Sequence, residues 1–126
     1  MRQKLIAGSS VSRFSTPSPL ASLPSYMILY NVTSSLDPSI ADEWLTYMRT
    51  HHLDDVVGTG CFIRAQLLRL LNEEDNGITY AAQYYAVSLE QLEAYQQHFA
   101  PALRADMEKR FAGKYHSFRT VLEVVE

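Results

Sequence analysis

Two adjacent histidines, His51 and His52, stand just ahead of two adjacent aspartates, Asp54 and Asp55, in the run THHLDDVVGTGCF, which also holds the lone Cys61. If one helix runs through this stretch, His51 and Asp55 are at i and i+4, and His52 and Asp55 at i and i+3. Either pairing lets a carboxylate orient an imidazole as a general base, which is the chemistry of proton abstraction. The plainer alternative puts His51 on the outer face near a helix C-terminus, where positive charge is favoured, and bonds His52 to a backbone carbonyl in the core. Adjacent histidines on a helix diverge by about 100°, and a metal centre needs three or four converging ligands, so no metal is expected. Cys61 follows Gly60 ahead of a predicted strand and not at a helix N-terminus, which reads as a small buried hydrophobe and not a nucleophile. Gly58 and Gly60 are too few and wrongly spaced for a phosphate loop.

A second set of candidates is spread over predicted strands. Tyr30, Arg64, Gln66, Tyr80, Tyr84 and Arg119 could turn aromatic and cationic groups toward one cavity, with Arg64 and Arg119 binding a carboxylate or another anion between tyrosine walls. The competing account is a polar seam between two subunits, with the arginines paired to Glu123 or to acids of the partner.

These residues need a scaffold that brings distant strands together. MILYNVTSS, from Met27 to Ser35, is rich in strand formers and reads as a first strand. Asp37 with Pro38 gives a helix cap and first turn. Ile40, Ala41, Trp44, Leu45, Met48 and His52 then recur at helical spacing, predicting a helix from Pro38 to Leu53 or a little beyond. CFIRAQLLRLL and ITYAAQYYAV flank NEEDNG, whose Asn76-Gly77 pair signals an antiparallel hairpin. Ser88 with Gln91 marks the head of a second helix through Leu92 and Phe99, which Pro101 should interrupt. A further helical piece from about Pro101 to Phe111 stops at Gly113, and KYHSFRTVLEVV alternates as a fourth strand. The order βαββαβ predicts an α+β, ferredoxin-like domain: a four-stranded antiparallel sheet with both helices on one face. Strands two to four carry apolar residues at both parities. The face without helices is therefore expected to be partly apolar and to be covered by a second copy.

The chain of 126 residues, 47% hydrophobic, suffices for one domain over 27–126. Residues 1–26 are Ser/Pro-rich and aperiodic and are expected to form a disordered extension, or to precede a start at Met27. The tail takes three of the 11 basic residues and none of the 14 acidic ones, so the rest is more acidic than the net −3 of the whole chain. That balance argues against nucleic acid as a partner, and no apolar run approaches the roughly 20 residues of a membrane span. One cysteine permits no internal disulfide, and a cytoplasmic protein is expected.

The motifs MILYNVT, ADEWLTYM, HHLDDVVGTGCF, LLRLLNEEDNGITYAAQYY, HFAPAL and FRTVLE, in this order over about residues 27–124, resemble a small bacterial family known as domain of unknown function 4286. The resemblance implies the dimeric α/β-barrel group, in which two sheets face each other and a cavity lies between sheet and helices; it implies no established activity. In relatives a proline often stands where this chain has Asp54, which would end the helix near His52. The wider group includes cofactor-independent oxidation of aromatic polyketides and haem degradation. His98, beside the Pro101 break, is thus a conceivable iron ligand, although a surface histidine accounts for it better and no cofactor is expected. Taken together these features predict a homodimeric module that binds a small organic ligand or serves structurally. The alternative is a cofactor-independent monooxygenase or isomerase with His52 as base, Asp55 orienting it, and Arg64 or Arg119 holding an anionic intermediate. A third reading, a protein-interaction adaptor, would leave the apolar sheet face open in a monomer.

Overall fold

The computed structural model describes residues 27–71 and 78–126. The expected disordered tail and the Asn76-Gly77 turn lie outside the described residues. Strand β1 (Ile28–Leu36) alternates faces, burying Ile28, Tyr30, Ser34 and Leu36. It ends at Asp37, whose side chain accepts from the Ser39 N–H at 2.8 Å. That bond holds the carboxyl below its usual range. Pro38 then opens a helical passage over residues 38–58, where its missing N–H costs nothing.

The passage runs through α1 (Ala41–Tyr47), a π-helical segment at Met48–His52 and α2 (Leu53–Gly58). The backbone stays helical throughout, so the expected end near His52 is corrected: Asp54 is not a proline, and nothing in its backbone forces a stop. The Leu53 N–H reaches back to the Met48 carbonyl, one residue further than in an α-helix. The extra residue rotates the following turn back onto the buried stripe. Val56 therefore carries that stripe inward, fully buried, and Asp55 faces solvent. Gly60, at φ 85°, adopts the left-handed conformation a side chain would strain, and it turns the chain toward the sheet.

Strands β2 (Arg64–Arg69) and β3 (Ile78–Ala86) pair antiparallel, followed by α3 (Leu89–His98), α4 (Ala100–Phe111) and β4 (Tyr115–Glu123). The Ser88 hydroxyl caps α3 by accepting from the Gln91 N–H at 3.2 Å. Phe99, ahead of Ala100 and Pro101, leaves helical geometry at φ −122° and separates α3 from α4. The sheet order is β2-β3-β1-β4, antiparallel at every pairing, with β1 central. This is the predicted ferredoxin-like architecture.

All helical elements contribute to a core on one face of the sheet, with Trp44, Met48, Val56, Leu92, Tyr95 and Phe111 against Tyr30, Ala82 and Tyr84. Cys61 and Phe62, in the loop before β2, are buried in that core. Phe62 is its aromatic centre, stacked on Tyr30 at 6.1 Å and edge-on to Tyr95 at 4.8 Å. The opposite face carries a ladder of amides: Gln66 donates to Gln83 at 3.0 Å, Gln83 to Asn31 at 3.1 Å, and Asn31 to Thr33 at 3.0 Å. Leu68, Phe118 and Leu122 are exposed on that same face. Among the described residues no helix is long and apolar enough to cross a membrane.

Candidate functional site

Strand pairing assembles one wall of a cavity between the sheet and the helices. Because β1 lies between β3 and β4, Tyr30 stands opposite Tyr84, Val32 opposite Arg119, and Ser34 opposite Ser117. The paired serine hydroxyls are 2.7 Å apart. Ala82 lies beside Val32 on the same face and leaves space where a larger side chain would fill it. The helices supply the other wall: Trp44, Met48 and His52 from the first helical passage, Tyr95 from α3, and Arg104 with Met107 from α4. The cavity has a volume of about 60 Å³.

Its electrostatics follow from burial. Tyr84 is pushed well above the ordinary phenol range and Tyr95 up to about 12, desolvation being the first cause for each, so both remain protonated donors at neutral pH. Tyr115 is also raised to about 12, by desolvation and then by its 2.9 Å hydrogen bond to Glu108. Burial lowers His52 below its ordinary value, against the opposing pull of Asp55 and Asp106, so its imidazole is neutral at pH 7. Its Nδ1 is buried without a hydrogen-bond partner among the described residues. Two guanidiniums, Arg104 and Arg119, line the cavity, and among the described residues no Asp or Glu does. Arg104 donates to the Tyr30 hydroxyl at 3.1 Å.

Of the residues singled out in the sequence, His52, Tyr30, Tyr84 and Arg119 meet here. Arg64 does not, which corrects its expected place in the cavity. It is in register with Tyr85 on the opposite sheet face, where its guanidinium lies 3.9 Å from the centre of the Tyr85 ring. Gln66 shares that face, and Tyr80 lies on the covered face against Trp44 rather than in the cavity. Asp55 is exposed, neither lines the cavity nor hydrogen-bonds His52, and so does not orient the imidazole. His51 is exposed, sharing a 2.7 Å hydrogen bond with the Thr50 hydroxyl and stacking on Tyr47. His98 is exposed at the end of α3, away from the cavity. The expected backbone-carbonyl partner of His52 is also absent among the described residues.

Sequence reasoning missed Arg104. A signal existed: Leu103 and Met107 stand at helical spacing in the last helix, and Arg104 sits three residues before Met107 on that side. Outside the cavity, Tyr47 is raised to about 12 by desolvation and then by its hydrogen bond to Asp106, which also pairs with Arg110 at 3.5 Å and ties α1 to α4. Among the described residues no group of three or more His, Cys, Asp or Glu gathers as a metal site.

The fold is shared with solved structures of low sequence likeness. A conserved protein of unknown function from Bacteroides thetaiotaomicron, described as an oxidoreductase candidate, aligns with TM-score 0.60 and 11% identity over 80% of this chain and 100% of that one. Candidate antibiotic biosynthesis monooxygenases from Nitrosomonas europaea and Caulobacter crescentus each align with TM-score 0.59. The first is 11% identical over 81% of this chain and 91% of its own; the second is 21% identical over 81% and 92%. At such identities the likeness shows the fold alone. No curated protein sequence matches the chain. The family model described as Domain of unknown function (DUF4286) matches residues 27–125.

Proposed function

The chain belongs to the family Domain of unknown function (DUF4286), and we propose that it acts as a homodimeric, cytoplasmic module that binds a small organic molecule in the cavity between sheet and helices. The observation that carries this reading is the cavity itself, where tyrosines, a neutral histidine and two arginines converge on a space that the core leaves unfilled. Dimerisation through the open sheet face is supported by the exposed Leu68, Phe118 and Leu122, which a second copy would remove from water. Neither nucleic acid nor a membrane enters this reading, since the chain carries more acid than base.

Native mass spectrometry of the purified chain, under non-denaturing and then denaturing conditions, tests both parts. A dimer mass with a small retained adduct that is lost on denaturation is the expected result. A monomer at micromolar concentration would overturn the sheet-to-sheet dimer. The catalytic alternative, with His52 as base, draws support from its neutral, partly buried imidazole, but it lacks Asp55 as the orienting carboxylate.

A further inference from the structure

We infer that the cavity takes a short-chain aliphatic carboxylate, its carboxylate held at the mouth between Arg104 of α4 and Arg119 of β4 and its alkyl body directed between sheet and helices. This deepens the proposed function and rests on the cavity being the binding site.

Charge is the first reason. In a chain with net charge −3, the only charged groups lining the cavity among the described residues are two guanidiniums. Among the described residues neither has an ion-pair partner, since Arg110 with Asp106 is the one pair present. Arg104 uses one donor on the Tyr30 hydroxyl, and a guanidinium has five, so most of its donors are free for an anion. The two arginines approach from different elements, yet both act electrostatically on the same phenol, Tyr95. A carboxylate offers two oxygens, enough to accept from both at once.

Size and surroundings set the rest of the molecule. An engineered cavity of about 150 Å³ accommodates benzene. This one, at about 60 Å³, has room for a few carbon atoms and not for an aromatic ring system. Its buried lining combines Trp44, Met48 and Met107 with the uncharged Tyr30, Tyr84 and Ser34, surroundings that favour a short hydrocarbon body over a second charge. Both arginines are exposed, so the charged end stays at the mouth, where desolvation is least costly.

The test is a titration of the isotopically labelled full chain with sodium butyrate at constant ionic strength, followed through backbone amide shifts of residues 80–84 and 117–119. Butyramide and inorganic phosphate are titrated in parallel. Butyrate should move these amides and bind about tenfold more tightly than either comparator. Arg104→Gln and Arg119→Gln should each weaken it about tenfold. Lys109→Gln, which removes a charge from the same helix outside the cavity, should leave the affinity unchanged. Butyramide binding as tightly as butyrate would overturn the anion clamp, and phosphate doing so would overturn the alkyl requirement; either result leaves the cavity as the binding site. If none of the three moves the cavity amides and native mass spectrometry finds no retained molecule, the binding-module reading itself fails with the inference.

Discussion

The two faces of the sheet come from the same strands, one residue apart, yet they solve opposite problems. On the helix side Tyr30, Tyr84 and Phe62 are buried together, with paired serine hydroxyls, phenols and one imidazole among them and the Arg104 and Arg119 guanidiniums at the cavity mouth. On the other side an amide ladder from Gln66 to Thr33 runs between exposed leucines and a phenylalanine. Strand alternation alone makes both faces. The helices cover only one, so the same kind of apolar residue is core on one side and exposed on the other.

The largest expected break in that comparison is Phe62→Ala. Phe62 is buried and touches three aromatic rings, so its truncation should lower the unfolding free energy by about 3–5 kcal/mol, read by urea denaturation. Phe118→Glu on the open face is the counterpart. Phe118 is 63% exposed, so the monomer's unfolding should move by less than about 0.5 kcal/mol. In the proposed dimer, a charge at this position on the open face should instead weaken dimerisation by about a hundredfold, measured by sedimentation equilibrium. Equal stability losses for the two variants would mean that the faces do not differ as described.

A smaller effect sharpens the helix side alone. Burial depresses the His52 pKa from its ordinary 6.5, so the unfolded chain takes up that proton first as the pH falls. Its contribution to stability is complete above about pH 6.5 and is lost as the pH drops toward the folded value. In His52→Gln the unfolding free energy should fall less steeply between pH 6.5 and 5 than in the unsubstituted chain. Identical slopes would show that the imidazole is as well solvated in the fold as out of it.

Much of the scaffold was legible in the residues. The Asp37-Pro38 start, the Ser88 cap and the break ahead of Pro101 are local devices, set by dihedral restriction and by a side chain satisfying a free backbone N–H. The candidate site was legible in part. His52, Tyr30, Tyr84 and Arg119 were found because each sits on a periodic segment, whereas the roles of Asp55 and Arg64 depended on geometry that no local pattern encodes.

The sequence by itself determined the order βαββαβ and where each helix begins, because alternation, capping and proline act over a few residues. Only the tertiary structure decided which arginines share the cavity. In β2, Ala65 and Leu67 compete with Leu68 and neighbouring Leu70 for the buried parity, so the sequence could not say that Arg64 turns away; pairing with β3 decides it. The π-helical segment likewise turned Asp55 outward through one extra residue in a turn. Arg104 joins Arg119 because α4 packs across β1, a contact between residues 74 apart in the chain that only the closed fold creates.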